Sequence, residues 1–183
     1  MMKRSKKRMV WIDCEMTGLD PETDVLIEIA TIVTDYNLKV IARGPDLAIR
    51  TSEARLRNMD AWNRRTHKKS GLIDRIRAEG VSVEDAERLT LAFVRKHCYA
   101  KTAPLCGNSV GQDKRFLVRY MPQLNEFLHY RVVDVSTIKV LVKEWYRGKI
   151  EPPKKDETHR ALADIEDSIA ELEFYRKAVF RKG

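Results

Sequence analysis

The sequence predicts an α/β domain: a mixed sheet that opens as an antiparallel meander and is flanked by helices. Two observations carry this. Three β-prone runs crowd together between Met9 and Ala42, too close for helical crossovers to join them. After Val81, helical periodicity alternates with short apolar runs, which is the order expected of strands and helices layered on one sheet.

The elements follow in chain order. Met9–Cys14 is an apolar run entering charged residues and reads as the first strand. Asp20, Pro21 and Gly18 make the next stretch a loop. Val25–Thr34 is rich in β-branched residues, and Leu38–Ala42 is a third short strand, with Asn37 suited to the hairpin between them. Ser82 heads a capping-box pattern with Asp85, and Val83, Ala86, Leu89 and Phe93 then repeat at helical spacing. Pro104-Leu105-Cys106 is a short strand ending at Gly107. Gln112–Met121 reads as a helix and Arg131–Val133 as a strand. A helix then passes through Ile138, Leu141, Val142 and Trp145. Positions 148–157, with Pro152 and Pro153, read as a loop. The last helix runs from about Ala161 to Val179 with Ile165, Ile169, Leu172 and Tyr175 inward.

The 183 residues suit one domain, assigned to 9–183, with a core of useful size. Net charge is +8, but Lys3, Arg4, Lys6, Lys7 and Arg8 carry five of those charges; removing them leaves +3 for the rest. The body is therefore only mildly basic, compatible with nucleic acid without demanding it. Residues 1–8 read as a basic, disordered leader. No run approaches the ~20 apolar residues needed to span a bilayer, so no membrane partner is expected. The apolar run after the leader is too short for a signal peptide. Cys14, Cys98 and Cys106 have no metal-ligand spacing, which suggests free thiols and a cytoplasmic location.

Chemistry enters through the acids. Asp13 and Glu15 stand two apart at a strand end, so their carboxylates face one way. Like charges held together repel, and hard divalent cations such as Mg²⁺ or Mn²⁺ relieve that repulsion through oxygen ligands. Alone, the pair is equally an exposed acidic strand end. Asp113 opens a helix after a strand and a Gly-Asn-Ser-Val-Gly loop; it is either a ligand or an acid favoured by the helix dipole. His159 precedes Asp164 by five positions, about 140° apart on an ideal helix. Both reach one site only if His159 lies before the helix and Asp164 inside it.

The joint order D-x-E, then D, then H-x-x-x-x-D resembles the DEDD exonucleases, in the branch with a histidine base, on a ribonuclease-H-like fold. Four blocks sharpen the likeness to the oligoribonuclease family: Trp11–Asp20, Met59–Asn63, Cys106–Asp113 and His129–Thr137. Together the resemblance spans about Met9 to Phe180. The leader lies outside it, Cys14 stands where the family often has an aliphatic residue, and positions 148–156 match no block.

The resemblance implies a 3′-to-5′ exoribonuclease that degrades short single-stranded RNA, dinucleotides included, to 5′-mononucleotides. It implies two divalent cations, Mg²⁺ or Mn²⁺, on Asp13, Glu15, Asp113 and Asp164, with His159 as general base. It implies a homodimer in which Tyr130 reaches the partner's site as a stacking platform. Leu19 and Trp62 would pack on substrate, and Ser109, Arg131, Ser136 and Thr137 would cap the 5′ phosphate. Plainer readings stand beside these: Trp62 in the core, Arg131 paired with Asp134, Ser136 capping a helix. His67, in a basic cluster, holds phosphates or lies on a solvated face; His97 ends its helix as a partner of the helix dipole or as a surface residue. A proofreading or repair exonuclease acting on DNA and a catalytically silent RNA-binding dimer are the competing functions.

Overall fold

The computed structural model describes residues 4–153 and 160–180. Its centre is a five-stranded sheet in the order β3-β2-β1-β4-β5. β1 (Met9–Met16), β2 (Leu26–Thr34) and β3 (Val40–Ala48) form the antiparallel meander. β4 (Pro104–Gly107) and β5 (His129–Asp134) add in parallel beyond β1. The sheet is thus mixed, as the sequence predicts.

β1 explains the layering. Its alternate residues face opposite sides, as the pleat requires. Val10, Ile12, Cys14 and Met16 enter a core that includes Phe116, Leu117 and Leu124. That core lies under α4 (Val83–His97), α5 (Gly111–Tyr120) and α6 (Pro122–Phe127). Met9 and Trp11 face the other side, where α7 (Val135–Trp145) and α8 (Ala161–Ala178) bring Val135, Val142, Ile165, Ile169 and Tyr175. Trp11 is fully buried there, and its indole N–H donates to the Thr34 hydroxyl at 2.9 Å.

Several elements depart from expectation. β1 continues to Met16, so Glu15 belongs to the strand. β3 begins at Val40 and runs on to Ala48, through Gly44 and Pro45. β3 is the sheet's edge, where a proline lacking an N–H is tolerated. The hairpin before it places Leu38, rather than Asn37, in the left-handed region at φ 67°. The largest omission is α1 (Glu53–Asn58), α2 (Ala61–Lys69) and α3 (Leu72–Glu79), none of which the sequence reading assigns. Their leucines and isoleucines close over Ile27 and Ala48 in a satellite core. These helices are short and heavily charged, so their periodicity is faint.

Of the leader, residues 4–8 are described: the Ser5 amide donates to the His97 carbonyl at 3.1 Å, beside the end of α4. His97 is half-buried and its ring packs against Phe93.

Candidate active site

The site forms where β1 ends. Asp13 and Glu15 sit on the β1 face that carries Met9 and Trp11, looking toward α8. Cys14 lies on the opposite face, inside the apolar core. Asp164 comes from the first turn of α8. One carboxylate oxygen from each of Asp13, Glu15 and Asp164 lies within 4.8 Å of the others. Asp113 stands in the first turn of α5 and is buried; its Oδ1 accepts the Cys14 amide at 3.0 Å. That bond ties the fourth acid to the strand bearing the first two.

Packing these acids together shifts Asp13, Glu15 and Asp113 upward. Burial, then the charges of Asp113, Glu15 and Asp164, hold the Asp13 carboxyl well above its usual range. Burial first, then Asp164 and other acids, pushes Glu15 up to about 8. Burial lifts Asp113 to about 7, although the Cys14 amide pulls it back. An all-oxygen, mutually repelling, partly desolvated donor set is what a hard divalent cation stabilises. The residues present fit such an ion.

His159 lies outside the described residues, as does part of the loop expected at 148–157. Arg160, the next residue, is described at the start of α8.

Leu19 follows β1 by three residues, and Trp62 stands in the first turn of α2, the helix that also carries His67. Trp62 is 52% exposed, so the core reading of this residue does not hold. The Asp60 carboxylate caps α2 by accepting the Trp62 and Asn63 amides at 2.8 and 2.9 Å. Leu19 is 69% exposed while its carbonyl is held by Gln112 and by Arg115. The loop beneath it is closed by Asp24, which accepts from the Thr17 hydroxyl and the Asp20 amide. A Cβ on Gly18 would come within 2.4 Å of that Asp24 carboxylate, so a larger residue there would displace the side chain that closes the loop.

Of the predicted phosphate-capping residues, Ser109, Ser136 and Thr137 lie where β4 ends and α7 begins, while Arg131 stands earlier on β5. Ser109, at φ 52°, donates its amide to Asp134 at 3.0 Å and to Ser136 Oγ at 2.9 Å. The two serine hydroxyls are 3.1 Å apart. Asp134, not Ser136, caps α7, accepting the Ser136 amide at 2.9 Å. Arg131 lies over the Tyr130 ring at 5.3 Å instead of pairing with Asp134. Tyr130 is 72% exposed on β5, the outer strand. Thr137 is exposed in the first turn of α7.

Two residues were underestimated or missed. His67 is buried, so neither the phosphate cluster nor the solvated face describes it. Its Nε2 lies 3.1 Å from the Met16 carbonyl and its Nδ1 3.9 Å from Glu15 Oε2, at the metal cluster's edge. Glu28 is fully buried in β2 opposite Glu15. The signal was available: an acid interrupting an otherwise apolar, β-branched strand.

Comparison with known proteins agrees with this geometry. The RNase_T exonuclease family matches residues 10–172. Solved structures with the same fold include an exonuclease I from Methylocaldum szegediense, at TM-score 0.70 and 17% identity over 94% of this chain. The zinc-bound E. coli exonuclease I in complex with single-stranded DNA superposes at TM-score 0.72 and 14% identity over 97% of this chain. The chain spans 41% of each of those structures. Fold and acid cluster together define an exonuclease on a ribonuclease-H-like sheet.

Full-length similarity narrows that class. The oligoribonuclease of Shewanella loihica is 52% identical over 98% of this chain and 99% of its own length. That of Klebsiella pneumoniae is 51% identical over 96% and 97%. The chain belongs to the oligoribonuclease family within the exonucleases.

Proposed function

We propose that this enzyme hydrolyses short single-stranded RNA from the 3′ end, down to dinucleotides, releasing 5′-mononucleotides. The observation that carries the reading is the meeting of Asp13, Glu15 and Asp164 within 4.8 Å, with Asp113 bonded to the same strand. With four carboxylates available, the set accommodates two divalent ions, Mg²⁺ or Mn²⁺. Such ions, when bound, acidify water and offset negative charge on a phosphodiester.

The chain's own residues do the rest. Asp13 is central in the set, and Glu15, Asp113 and Asp164 complete it. His159 serves as general base, because an imidazole accepts a proton near neutral pH when carboxylates are committed to metal. The exposed Leu19 and Trp62 side chains provide an apolar rest for bases beside the acids. Ser109, Ser136, Thr137 and Arg131 cap the 5′ phosphate; the neighbouring Ser109 and Ser136 hydroxyls, 3.1 Å apart at the start of α7, offer it donors. A cap at fixed distance from the acids measures length and disfavours long chains.

Tyr130 acts as a stacking platform in the site of a second copy, so the working unit is a homodimer. Support comes from its exposed ring on the outer strand and from Val140, Leu141 and Trp145, which α7 also leaves exposed. Among the described residues no helix is long and apolar enough to cross a membrane. Together with the buried, unpaired cysteines, this fits a cytoplasmic enzyme.

The deciding experiment is a length series on 5′-phosphorylated RNA, from dinucleotide through pentamer to long chains, with Mn²⁺ or Mg²⁺ and matched single-stranded DNA. Fastest turnover is expected on the shortest RNA. Preference for long DNA would overturn the substrate assignment.

A further inference from the structure

The acids of the cluster stand on two separate elements, and something must hold those elements in register. Asp164 is three residues beyond Ala161, within the first turn of α8. That helix has no side-chain cap of its own: its N-cap is Arg160, which offers no acceptor to the orphan amides. The acceptor comes from the sheet. Glu28 Oε2 receives the Ala161 amide at 3.1 Å, and Oε1 receives Arg160 Nε at 3.1 Å. Arg75, on α3, binds Oε1 from another side at 2.6 Å and also reaches Asp46 and Glu79.

Glu28 is fully buried and lies opposite Glu15 in the β1–β2 ladder, so both carboxylates rise from the same face of the sheet. A buried carboxylate is tolerated only with partners, and here it has two guanidiniums and a helix amide. Both of its oxygens are committed to N–H donors. It therefore differs from its neighbours Asp13 and Glu15, whose oxygens converge with that of Asp164.

We propose that Glu28 is a positioning residue of the metal centre. By clamping the first turn of α8 through Ala161 and Arg160, it holds Asp164 at carboxylate distance from Asp13 and Glu15. The α8 backbone transmits the constraint directly, since the Asp164 amide bonds the Arg160 carbonyl at 3.0 Å. The inference rests on the cluster being a metal site.

The test is Mn²⁺ binding by calorimetry, together with hydrogen exchange of the 161–164 amides in the metal-free protein. Glu28→Gln keeps the side-chain shape but removes the charge that holds both arginines. Mn²⁺ affinity should fall roughly ten- to hundred-fold, the range typical when a ligand's supporting shell is broken. Exchange in the first turn of α8 should accelerate, and high Mn²⁺ should restore turnover. Leu124→Ala, a remote core truncation, serves as the control for lost stability and should leave Mn²⁺ affinity unchanged. If Glu28→Gln does not fold, Arg160→Gln gives the same reading from the partly exposed partner, with a smaller loss of affinity. Wild-type Mn²⁺ affinity and unchanged exchange in the folded variant would overturn the proposal alone. A wild-type protein that takes up no Mn²⁺ would overturn the metal reading and this inference with it.

Discussion

The two faces of β1 make the sharpest contrast in the molecule. On one face Val10, Ile12, Cys14 and Met16 disappear into an apolar core. On the other, Met9 and Trp11 do the same, but the pattern then breaks into Asp13 and Glu15. One strand thus serves packing and chemistry at alternate positions. The first face gains from every contact it makes. The second concentrates repelling charge, and the metal-free protein bears that cost at its active site. The difference teaches that stability and activity can be perturbed separately by neighbouring residues.

Breaking the acid face should give the largest effect. Asp13→Asn should reduce turnover by about three orders of magnitude, the scale of losing several kcal/mol of metal-borne charge stabilisation. The same change should raise, not lower, the melting temperature of the metal-free protein, because it relieves repulsion. Steady-state rates and calorimetry on one preparation check both halves.

The opposite face should answer in the opposite sense. Phe116→Ala, in the fully buried core under α5, should destabilise by about 3–5 kcal/mol. Activity per folded molecule should change little, as denaturant melts paired with rates at low temperature would reveal. A large loss of activity there would show the two faces to be coupled.

Tyr130→Ala should weaken dinucleotide turnover by the equivalent of about 1–3 kcal/mol, the worth of one base stacked on an aromatic ring. Mn²⁺ affinity should stay unchanged. Equal rates for the variant and the wild type on a dinucleotide would remove the stacking role.

The mildest effect is on pH. In the metal-free protein Glu15 titrates near 8 and Asp113 near 7, against ordinary values of 4.5 and 3.8. The fold therefore holds protons that the unfolded chain has already released. This contribution to stability is present at low pH and is lost as pH rises from about 4 to about 8, then levels off. Saturating Mn²⁺ should flatten that decline. Melting curves across the range, with and without the ion, measure it.

Much of this was legible beforehand. The meander, α4, α8 and the mixed sheet follow from β-branched runs, a capping box and helical spacing. Asp13, Glu15, Asp113 and Asp164 were selected by their order and by the blocks around them, and the structure gathers three within one cluster while bonding the fourth to β1. The helices α1–α3 were not legible, because short charged helices draw their stability from a satellite core formed by distant Ile27 and Ala48. His67 was misjudged for the same reason. Its sequence neighbours are basic and exposed, but its ring is buried against Met16 from β1.

Local pattern determined what could be read locally: strand alternation puts Asp13 and Glu15 on one side, and helical period puts Ile165 and Tyr175 on another. It also supplied the chemical identity of every group in the acid cluster. Only the tertiary structure decided that Asp134 rather than Ser136 caps α7, that Trp62 faces outward, and that Glu28 serves the start of α8 instead of joining the cluster. Those outcomes depend on which donors arrive from elsewhere in the chain. A carboxylate's role is set by whether N–H groups or other carboxylates meet it in space.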